Sequence, residues 1–309
     1  MKNISSVALV LFFTLLVVPF VSYFFGTALG TLEWETLKTL IIITSIAIAY
    51  SFIVGELTNN NSQVDKLWSI LPIAYVWVVA YYGDFTPRLV LMAVLASIWG
   101  IRLTTNFALK GAYQWRFWEG EEDYRWKVLR EKPEFKPRWK WTLFNLLFIC
   151  FYQQALILLF TLPSVVALQH NDTGLTVFDY IVAALMLFFI MYETLADIQH
   201  WNFQSQKWKK IHAGESLSGD YKKGFLDKGL WAYSRHPNYF AEQSIWICFY
   251  LFSVVASGEW INWSIAGCLL LLVLFRGSSD FGEMLSASKY PEYKTYQQKV
   301  PRFIPFVKL

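Results

Sequence analysis

The chain has 309 residues, of which 55% are hydrophobic and only 16% are charged, and its formal net charge is +4. Soluble proteins carry about a quarter charged residues, so this composition excludes an ordinary soluble domain. The apolar residues are clustered in runs of about twenty, each long enough to cross a bilayer as a helix. The sequence therefore predicts an integral membrane protein of the all-α class, a polytopic helical bundle that forms one domain over residues 1–309.

About eight apolar runs are predicted to span the membrane, within a range of seven to ten. The eight are residues 7–29, 37–56, 67–83, 88–108, 141–168, 176–199, 238–257 and 260–276. The first is too long for a signal peptide and continues through "SYFFGTALG" without a charged break, so we interpret it as a span.

Basic residues are concentrated in alternate loops. Loop 109–140 holds nine Lys or Arg, loop 200–237 holds seven and the tail from residue 277 holds five, whereas loops 169–175 and 258–259 hold none. By the positive-inside rule, the basic loops and both termini are predicted to be cytoplasmic. This bias accounts for the net charge, so no nucleic-acid partner is implied.

Two groups of polar residues precede the middle of the chain. Asp65 enters the third span, where it serves either as a helix cap or as a functional carboxylate. Arg102, Asn106 and Lys110 share one helix face, and "EGEEDYRW" (119–126) follows them. The second group is typical either of an interfacial amphipathic segment or of a lid over a charged ligand, and the sequence leaves both open.

A stripe of polar residues ends the sixth span. Glu193, Asp197, His200 and Gln204 follow at spacings of four, three and four, which places them on one helix face. An unpaired carboxylate at this depth costs about 2.5–3.5 kcal/mol on insertion scales. The stripe therefore indicates an aqueous or ligand-filled cavity, or pairing with loop lysines.

The stretch "YSRHPNYFAEQ" (233–243) begins the next span. Pro237 suits the first turn of a helix, and the free N–H groups of a helix start favour an anion. Arg235 offers a planar guanidinium suited to phosphate. Asn238 and Glu242 lie four residues apart on one face, where they could hold a carboxamide or a ribose. The structural alternative is a capped helix with interfacial polar residues.

The sequence holds no recognisable metal or nucleotide-loop motif. Its three cysteines, Cys150, Cys248 and Cys268, lie inside predicted spans without a C-x-x-C spacing, and its four histidines are scattered. G-x-G-x-x-G after a strand, G-x-x-x-x-G-K-[ST] and H-E-x-x-H are absent. We therefore predict no bound metal, and a nucleotide would have to be held by a helical membrane site.

The segment "GLWAYSRHPNYFAEQSIW" (229–246) resembles the C-terminal signature of the steroid 5-alpha-reductase superfamily. More closely, the chain looks like the bacterial membrane proteins known as the DUF1295 family, which belong to that group. Supporting similarities extend over about residues 60–305. They are "VDKLWS" (64–69), "IWGIRL" (98–103), "EEDYRW" (121–126), "ADIQ" (196–199) and "KYPEYKTYQQKVPRFIP" (289–305), the last of which is also similar to sterol C14-reductases.

The resemblance implies a membrane reductase in which NADPH enters from the cytoplasm and gives hydride to a conjugated C=C bond or to a sterol double bond. Carried over by motif, the cofactor-binding residues are Arg102, Asp123, Arg125, Asp197, Trp231, Arg235, His236, Asn238, Glu242 and Tyr290. The candidate catalytic residues are Asp65, Tyr239 and Glu242. We expect Asp65 or Tyr239 to be the acid, with Glu242 kept for the cofactor.

The chain departs from the family pattern after "ADIQ", where His200 and Gln204 stand in place of basic residues. This weakens the expected preference for NADPH over NADH, although loop lysines could substitute. Those lysines are Lys207, Lys209, Lys210, Lys222 and Lys223. The glutamine–glutamate pair that orients a steroid ketone in the true 5-alpha-reductases has no clear match, so the substrate is expected only to be a lipid-soluble molecule that enters from the bilayer.

Two other functions fit the same residues. Isoprenylcysteine and phospholipid methyltransferases share an R-H-P-x-Y-like block and use S-adenosylmethionine, which carries no phosphates. The sixteen Lys or Arg of loops 109–140 and 200–237 favour a phosphate-bearing cofactor instead. A lipid-binding membrane protein without catalysis is the third possibility. Under all three functions we expect the protein to be surrounded by membrane lipids. The resemblance implies that the membrane is a bacterial inner membrane.

Overall fold

The computed structural model describes residues 12–307, and all regular structure within them is helical. The α-helices are α1 (Val18–Phe25), α2 (Thr31–Thr58), α3 (Gln63–Leu67), α4 (Ile70–Tyr82), α5 (Pro87–Leu109), α6 (Tyr124–Arg130), α7 (Arg138–Phe144), α8 (Gln153–Thr161), α9 (Pro163–Gln169), α10 (Val177–His212), α11 (Gly219–Lys223), α12 (Pro237–Ser257), α13 (Ile265–Lys289) and α14 (Tyr293–Lys299). Phe13–Val17 and Asn145–Tyr152 are π-helices, and Pro133–Phe135 and Gly229–Ala232 are 3₁₀ turns.

Seven helical stretches of the described residues are long and apolar enough to cross a membrane. They are Thr31–Thr58, Gln63–Tyr82, Pro87–Leu109, Arg138–Gln169, Val177–His212, Pro237–Ser257 and Ile265–Lys289. They coincide with the second to eighth predicted spans, so the prediction of a polytopic helical bundle is confirmed. The beginning of the first predicted span, residues 7–11, lies outside the described residues.

Several helix ends follow directly from local sequence. Pro87 begins α5 at a position where a missing N–H costs nothing, and Pro237 does the same for α12. The carboxylate of Asp123 caps α6 by accepting the N–H of Arg125 at 2.9 Å. Asn59 ends α2 in the left-handed conformation with φ of 54°, which asparagine tolerates better than most residues.

The chain divides into two compact units. The first extends to Ala183 and includes Phe249–Leu270, and the second comprises Ala184–Cys248 with the chain from Leu271 onward. In the first unit, Val64 packs with Trp126, Trp141 and Ile149. In the second, Phe225 packs with Tyr293 and Tyr296, which belong to the C-terminal tail.

The stretch Arg138–Gln169 changes its helical winding in the π segment Asn145–Tyr152. Asn145 donates to Glu56 of α2 at 2.8 Å, and Gln154 donates to Ser51 of α2 at 3.1 Å. In a regular α-helix, two residues nine positions apart are separated by about two and a half turns and face opposite sides. The wider π turns allow both amides to face α2.

Candidate functional site

The residues predicted to form a site fall into two groups, one in each compact unit. The first unit contains Asp65, Arg102, Asp123 and Arg125. The second unit contains Asp197, Trp231, Arg235, His236, Asn238, Tyr239, Glu242 and Tyr290.

In the first unit, Asp65 and Asp123 are held by neighbours within α3 and α6. Asp65 Oδ2 accepts the indole N–H of Trp126 at 2.8 Å. Asp123 Oδ1 and Oδ2 accept from Arg125 Nε at 2.9 Å and Nη2 at 2.8 Å. The backbone N–H of Asp123 donates to Ser62 at 2.9 Å, so α6 is fixed to the start of α3.

The Asp123–Arg125 pair is an ion pair at neutral pH. Burial alone would raise the pKa of Asp123, but the charge and hydrogen bonds of Arg125 outweigh burial and hold that pKa below its usual range. Because this pair also caps α6, local structure already explains both residues. Their contact with a cofactor stays a prediction.

The segment between α5 and α6 is packed against residues 60–66. The fully buried Lys66 donates from Nζ to the carbonyls of Phe117 and Glu119, each at 2.6 Å. Gln63 donates to the Trp118 carbonyl at 2.9 Å. These contacts hold the segment against the start of α3. Arg102 lies half-buried on α5, and Lys110 follows the last residue of that helix.

In the second unit, the carboxylate of Glu283 on α13 organises the predicted motif. Arg235 donates to it from Nε at 2.7 Å and from Nη2 at 3.2 Å. His236 Nε2 lies 2.9 Å from Glu283 Oε1, and because a carboxylate only accepts, the imidazole is the donor. Gln297 donates at 2.8 Å, and an Arg302 nitrogen lies 3.5 Å away.

The same motif is bound to the C-terminal tail through the backbone. The N–H groups of Arg235 and His236 donate to the carbonyls of Pro301 at 2.9 Å and Arg302 at 3.0 Å. The tail also contacts the start of the motif, because the Tyr296 hydroxyl donates to the Trp231 carbonyl. The tail block and the R-H-P block therefore pack against each other through backbone hydrogen bonds.

This geometry differs from the anion site predicted at Arg235. Its side chain is only 9% exposed, and its Nε, Nη1 and Nη2 atoms all donate inside the protein. The guanidinium neutralises Glu283, and it would have to leave that carboxylate to bind a phosphate. Burial lowers the pKa of His236 against the opposing effect of Glu283, so the imidazole is neutral at pH 7.

Asn238 and Asp197 meet at the start of α12. The Asn238 amide donates to Asp197 Oδ1 at 3.3 Å, while its own Oδ1 is buried and has no hydrogen-bond partner. One turn further along α12, the buried Glu242 accepts the indole N–H of Trp246 at 3.1 Å. Asn238 thus offers an unused acceptor beside a carboxylate.

The "ADIQ" and "GLW" blocks are joined within this unit. Trp231 donates to the Ala196 carbonyl at 3.1 Å, and its ring stacks on His200 with centroids 5.1 Å apart. The Leu230 N–H donates to the Gln199 side chain at 2.9 Å. Gly229 has φ of +63°, and a Cβ there would lie 2.5 Å from Gln199 Oε1, so this contact requires glycine.

The remaining two tyrosines are held in different ways. The Tyr239 ring stacks on His236 with centroids 5.3 Å apart and lies against Phe275 at 4.8 Å. The Tyr290 hydroxyl accepts from Lys207 at 3.1 Å, and Lys207 also donates to the Gly224 carbonyl at 2.8 Å. Burial alone would raise the pKa of Tyr290, but Lys207 outweighs burial and lowers that pKa.

Comparison with known proteins identifies the family. Residues 51–300 match the family described as "Protein of unknown function (DUF1295)". The chain belongs to the DUF1295 family. It is 36% identical over 279 residues to an uncharacterized protein of Schizosaccharomyces pombe. The aligned region covers 84% of this chain and 79% of that relative. No solved structure matches the chain.

The family match confirms the resemblance to the DUF1295 family that the sequence motifs predicted. The relative is a eukaryotic protein, so it gives no support to the expected bacterial inner membrane. A multi-pass membrane protein is established by the apolar helices of the described chain.

Sequence reasoning missed Glu283, the central acceptor of the second group. The last predicted span stopped at residue 276, so Glu283 was placed in the tail, whereas α13 continues to Lys289. Gln199, Gln297 and Arg302 were also not singled out. A carboxylate seven residues beyond an apolar run, still in helical register with it, was the signal that could have identified Glu283.

Among residues 12–307, no group of three or more His, Cys, Asp or Glu residues is arranged to hold a metal ion. The three cysteines of this DUF1295 protein are free and buried.

Proposed function

We propose that this DUF1295 protein is a membrane-embedded reductase that uses NADPH to reduce a C=C bond conjugated to a carbonyl in a lipid-soluble substrate. The observation that carries the proposal is the buried, unused Oδ1 of Asn238 at the start of α12. Leaving such an acceptor unpaired costs about 1–3 kcal/mol. A carboxamide N–H of the nicotinamide would satisfy it, with Asp197 beside it as a second acceptor.

The phosphates of NADPH require cations other than Arg235. Among the loop lysines considered above, Lys207, Lys210 and Lys223 donate to the Gly224 carbonyl, Glu215 and Asp227, respectively. Lys209 and Lys222 are exposed, and we assign the phosphate contacts to them. The positive start of α12 adds to the attraction for an anion.

When bound, NADPH supplies hydride, and the protein supplies orientation, exclusion of water and a proton. We assign the proton donor to Tyr239, because it follows Asn238 directly and is fixed by stacking on His236. Asp65 is the alternative donor. Its Oδ2 accepts the indole N–H of Trp126 at 2.8 Å, so this carboxyl already has a partner inside the first unit.

We place the basic loops and the tail of the protein in the cytoplasm. A chain that crosses the membrane once with each of the seven candidate stretches has the segments 110–137, 213–236 and 290–307 on one side. These segments carry most of the Lys and Arg residues, as the positive-inside rule requires of cytoplasmic segments. A soluble cytoplasmic cofactor would then reach the second unit directly.

Cofactor binding by purified protein in detergent tests the proposal. NADPH at about 100 times its dissociation constant should stabilise the fold by roughly 2.7 kcal/mol, visible as a thermal shift. Asn238→Ala should weaken binding at least tenfold without changing the unliganded melting temperature. Asn202→Ala, the same change at an exposed position of α10, is the matched control. The absence of any NADPH-dependent shift in the unmodified protein would refute the proposal.

An S-adenosylmethionine-dependent methyltransferase is the second candidate. The inward-facing Arg235 favours it, because adenosine can be held without a phosphate-binding arginine. A thermal shift with S-adenosylmethionine and none with NADPH would select this function. Binding of NADPH without oxidation in the presence of enone lipids would instead indicate a lipid-binding protein without catalysis.

A further inference from the structure

Two lysines meet at the hydroxyl of Tyr290 in the second unit. Lys207 Nζ donates to that hydroxyl at 3.1 Å and to the Gly224 carbonyl at 2.8 Å. Lys289 approaches the same ring, with its Nζ 5.5 Å from the ring centre. Burial alone would raise the pKa of Tyr290, but hydrogen bonds and charge from both lysines outweigh burial and lower that pKa. Because the phenol oxygen already accepts from lysine, the phenol proton is available to an acceptor from outside.

These two lysines are not neutralised by a carboxylate. Within the part of the chain that the structure describes, neither of them forms an ion pair, whereas Lys223 pairs with Asp227. Lys207 is nevertheless only 7% exposed. A buried charge is costly unless an opposite charge and hydrogen bonds compensate it. The cluster around Tyr290 therefore combines hydrogen-bond donors with uncompensated positive charge, which favours an anionic ligand.

The Tyr290 hydroxyl is held in place and lies beside an exposed cation. Gly224 has φ of +90°, and a Cβ there would lie 2.2 Å from Tyr290 Cε1, so the ring packs directly on the Gly224 backbone. The Phe225 ring lies 6.1 Å from the Tyr290 ring, centre to centre. Tyr290 is half-buried and Lys289 is exposed. An anion can therefore approach the hydroxyl beside Lys289 while the buried Lys207 keeps its place.

The cluster lies at a suitable distance from the residues assigned to the nicotinamide. Asn238 contacts Asp197 of α10, and Lys207 lies ten residues after Asp197 on the same helix. Ten residues of an α-helix rise about 15 Å, which is comparable to the length of an extended dinucleotide. The 2′-phosphate of NADPH belongs to the adenosine, at the end of the molecule opposite the nicotinamide. A cofactor that starts at Asn238 and follows α10 would therefore bring this phosphate to the cluster.

We propose that Tyr290, Lys289 and Lys207 bind the 2′-phosphate of NADPH and thereby select NADPH over NADH. Tyr290 and Lys289 donate to the phosphate oxygens, and Lys207 orients the phenol and adds charge from behind it. A phosphate monoester carries about two negative charges at pH 7, which matches the two lysines. This inference rests on the proposed function. Lys209 and Lys222 then contact the pyrophosphate, which both cofactors carry.

Cofactor titration of the purified full-length protein in detergent tests this inference, with binding followed by the fluorescence of the reduced nicotinamide. NADPH should bind more tightly than NADH, and adenosine 2′,5′-bisphosphate should displace NADPH better than adenosine 5′-phosphate does. Lys289→Gln should lower NADPH affinity about tenfold, the effect of losing one hydrogen bond between charged groups, and leave NADH affinity unchanged. Tyr290→Phe, which keeps the ring, should act in the same direction.

The matched control is Lys210→Gln, because Lys210 pairs with Glu215 and has no assigned phosphate contact. It should leave the preference for NADPH unchanged. The two adenosine phosphates are compared on the unmodified protein, so this measurement decides the matter even if a variant does not fold. Equal displacement by both, equal binding of NADPH and NADH, or equal losses for both cofactors in Lys289→Gln would overturn the inference and leave the reductase function standing. Binding of neither cofactor would refute the reductase function itself, and the inference with it.

Discussion

A carboxylate carried on an apolar helix has to be compensated, and Glu283 receives hydrogen bonds from Arg235, His236 and Gln297. Only 3% of its side chain is exposed. Removing one partner of a buried ion pair leaves the other charge without compensation, which costs more than the pair itself contributes. The R-H-P motif therefore has a structural function in the second unit, whether or not it also contacts a cofactor.

Replacing this carboxylate should destabilise the protein strongly. Glu283→Ala leaves Arg235 buried without its partner, and we expect a loss of about 3–5 kcal/mol in the free energy of unfolding. Asp280→Ala is the matched control, because Asp280 lies on the same helix as Glu283 and also pairs with Arg302. The Asp280 side chain, however, is 46% exposed. That control should lose no more than about 1 kcal/mol. Unfolding in detergent measures both, and similar losses would show that Glu283 is not central.

The neutral state of His236 predicts a dependence of stability on pH. Its folded-state pKa is lowered, so below the ordinary histidine pKa of about 6.5 the unfolded chain binds a proton that the folded chain does not. The contribution of the neutral His236 to the free energy of unfolding is therefore complete above pH 6.5. It decreases as pH falls from 6.5 towards the folded-state pKa. His236→Gln keeps a donor for Glu283 but cannot titrate. Its melting temperature should therefore fall less than that of the unmodified protein between pH 7 and pH 5.5.

The roles of these residues were only partly visible in the sequence. Helical spacing correctly placed Asn238 and Glu242 on one helix, because residues four apart share a face regardless of tertiary structure. The partner of Arg235 lies 48 residues away on another helix. No local pattern encodes such a contact, so the same arginine was equally compatible with a bound phosphate and with Glu283.

At the scale of elements, the spans were predictable and their internal winding was not. A lipid-exposed backbone must satisfy its own hydrogen bonds, so a long apolar run has to be helical. The stretch around Asn145–Tyr152 is apolar on nearly every side, and a helix without an amphipathic period gives no register from which to detect a π segment. The buried amides at its two ends were the only local sign.

Those two amides should differ in their effect on stability. Asn145→Leu removes the 2.8 Å hydrogen bond to Glu56, so that this carboxylate keeps the hydrogen bond from Thr142. We expect a loss of about 1–3 kcal/mol in the free energy of unfolding. Gln154→Leu also breaks a bond, to Ser51, but it removes a buried Oε1 that has no partner. The two effects of Gln154→Leu oppose each other, and we expect a change below about 1 kcal/mol. Thermal unfolding in detergent compares these two amide-to-leucine changes, and a larger loss for Gln154→Leu would contradict this explanation.

At the scale of the whole molecule, the order of spans was accessible from hydropathy, whereas the convergence of the polar residues on one side of the membrane stays a prediction. The predicted site grouped Asp65 and Arg102 with Asp197 and Arg235, because all were expected on the cytoplasmic side. Asp65 and Arg102 belong to one compact unit and Asp197 and Arg235 to the other, and each unit has its own ion pairs. Charge bias assigns a loop to a side of the membrane but carries no information about which loops contact each other.

That assignment of sides is itself testable, because the native cysteines are buried and should react slowly with a membrane-impermeant maleimide. Three exposed positions supply single reporters through Arg116→Cys, Asp172→Cys and Lys294→Cys. In sealed vesicles with the cytoplasmic face inside, only Asp172→Cys should be labelled, since the positive-inside rule places the other two segments in the lumen of those vesicles. Inverted vesicles should give the opposite pattern, and detergent should expose all three. Labelling of Arg116→Cys and Asp172→Cys from the same side would contradict the alternation of spans between them, and with it the path by which a cytoplasmic cofactor reaches α12.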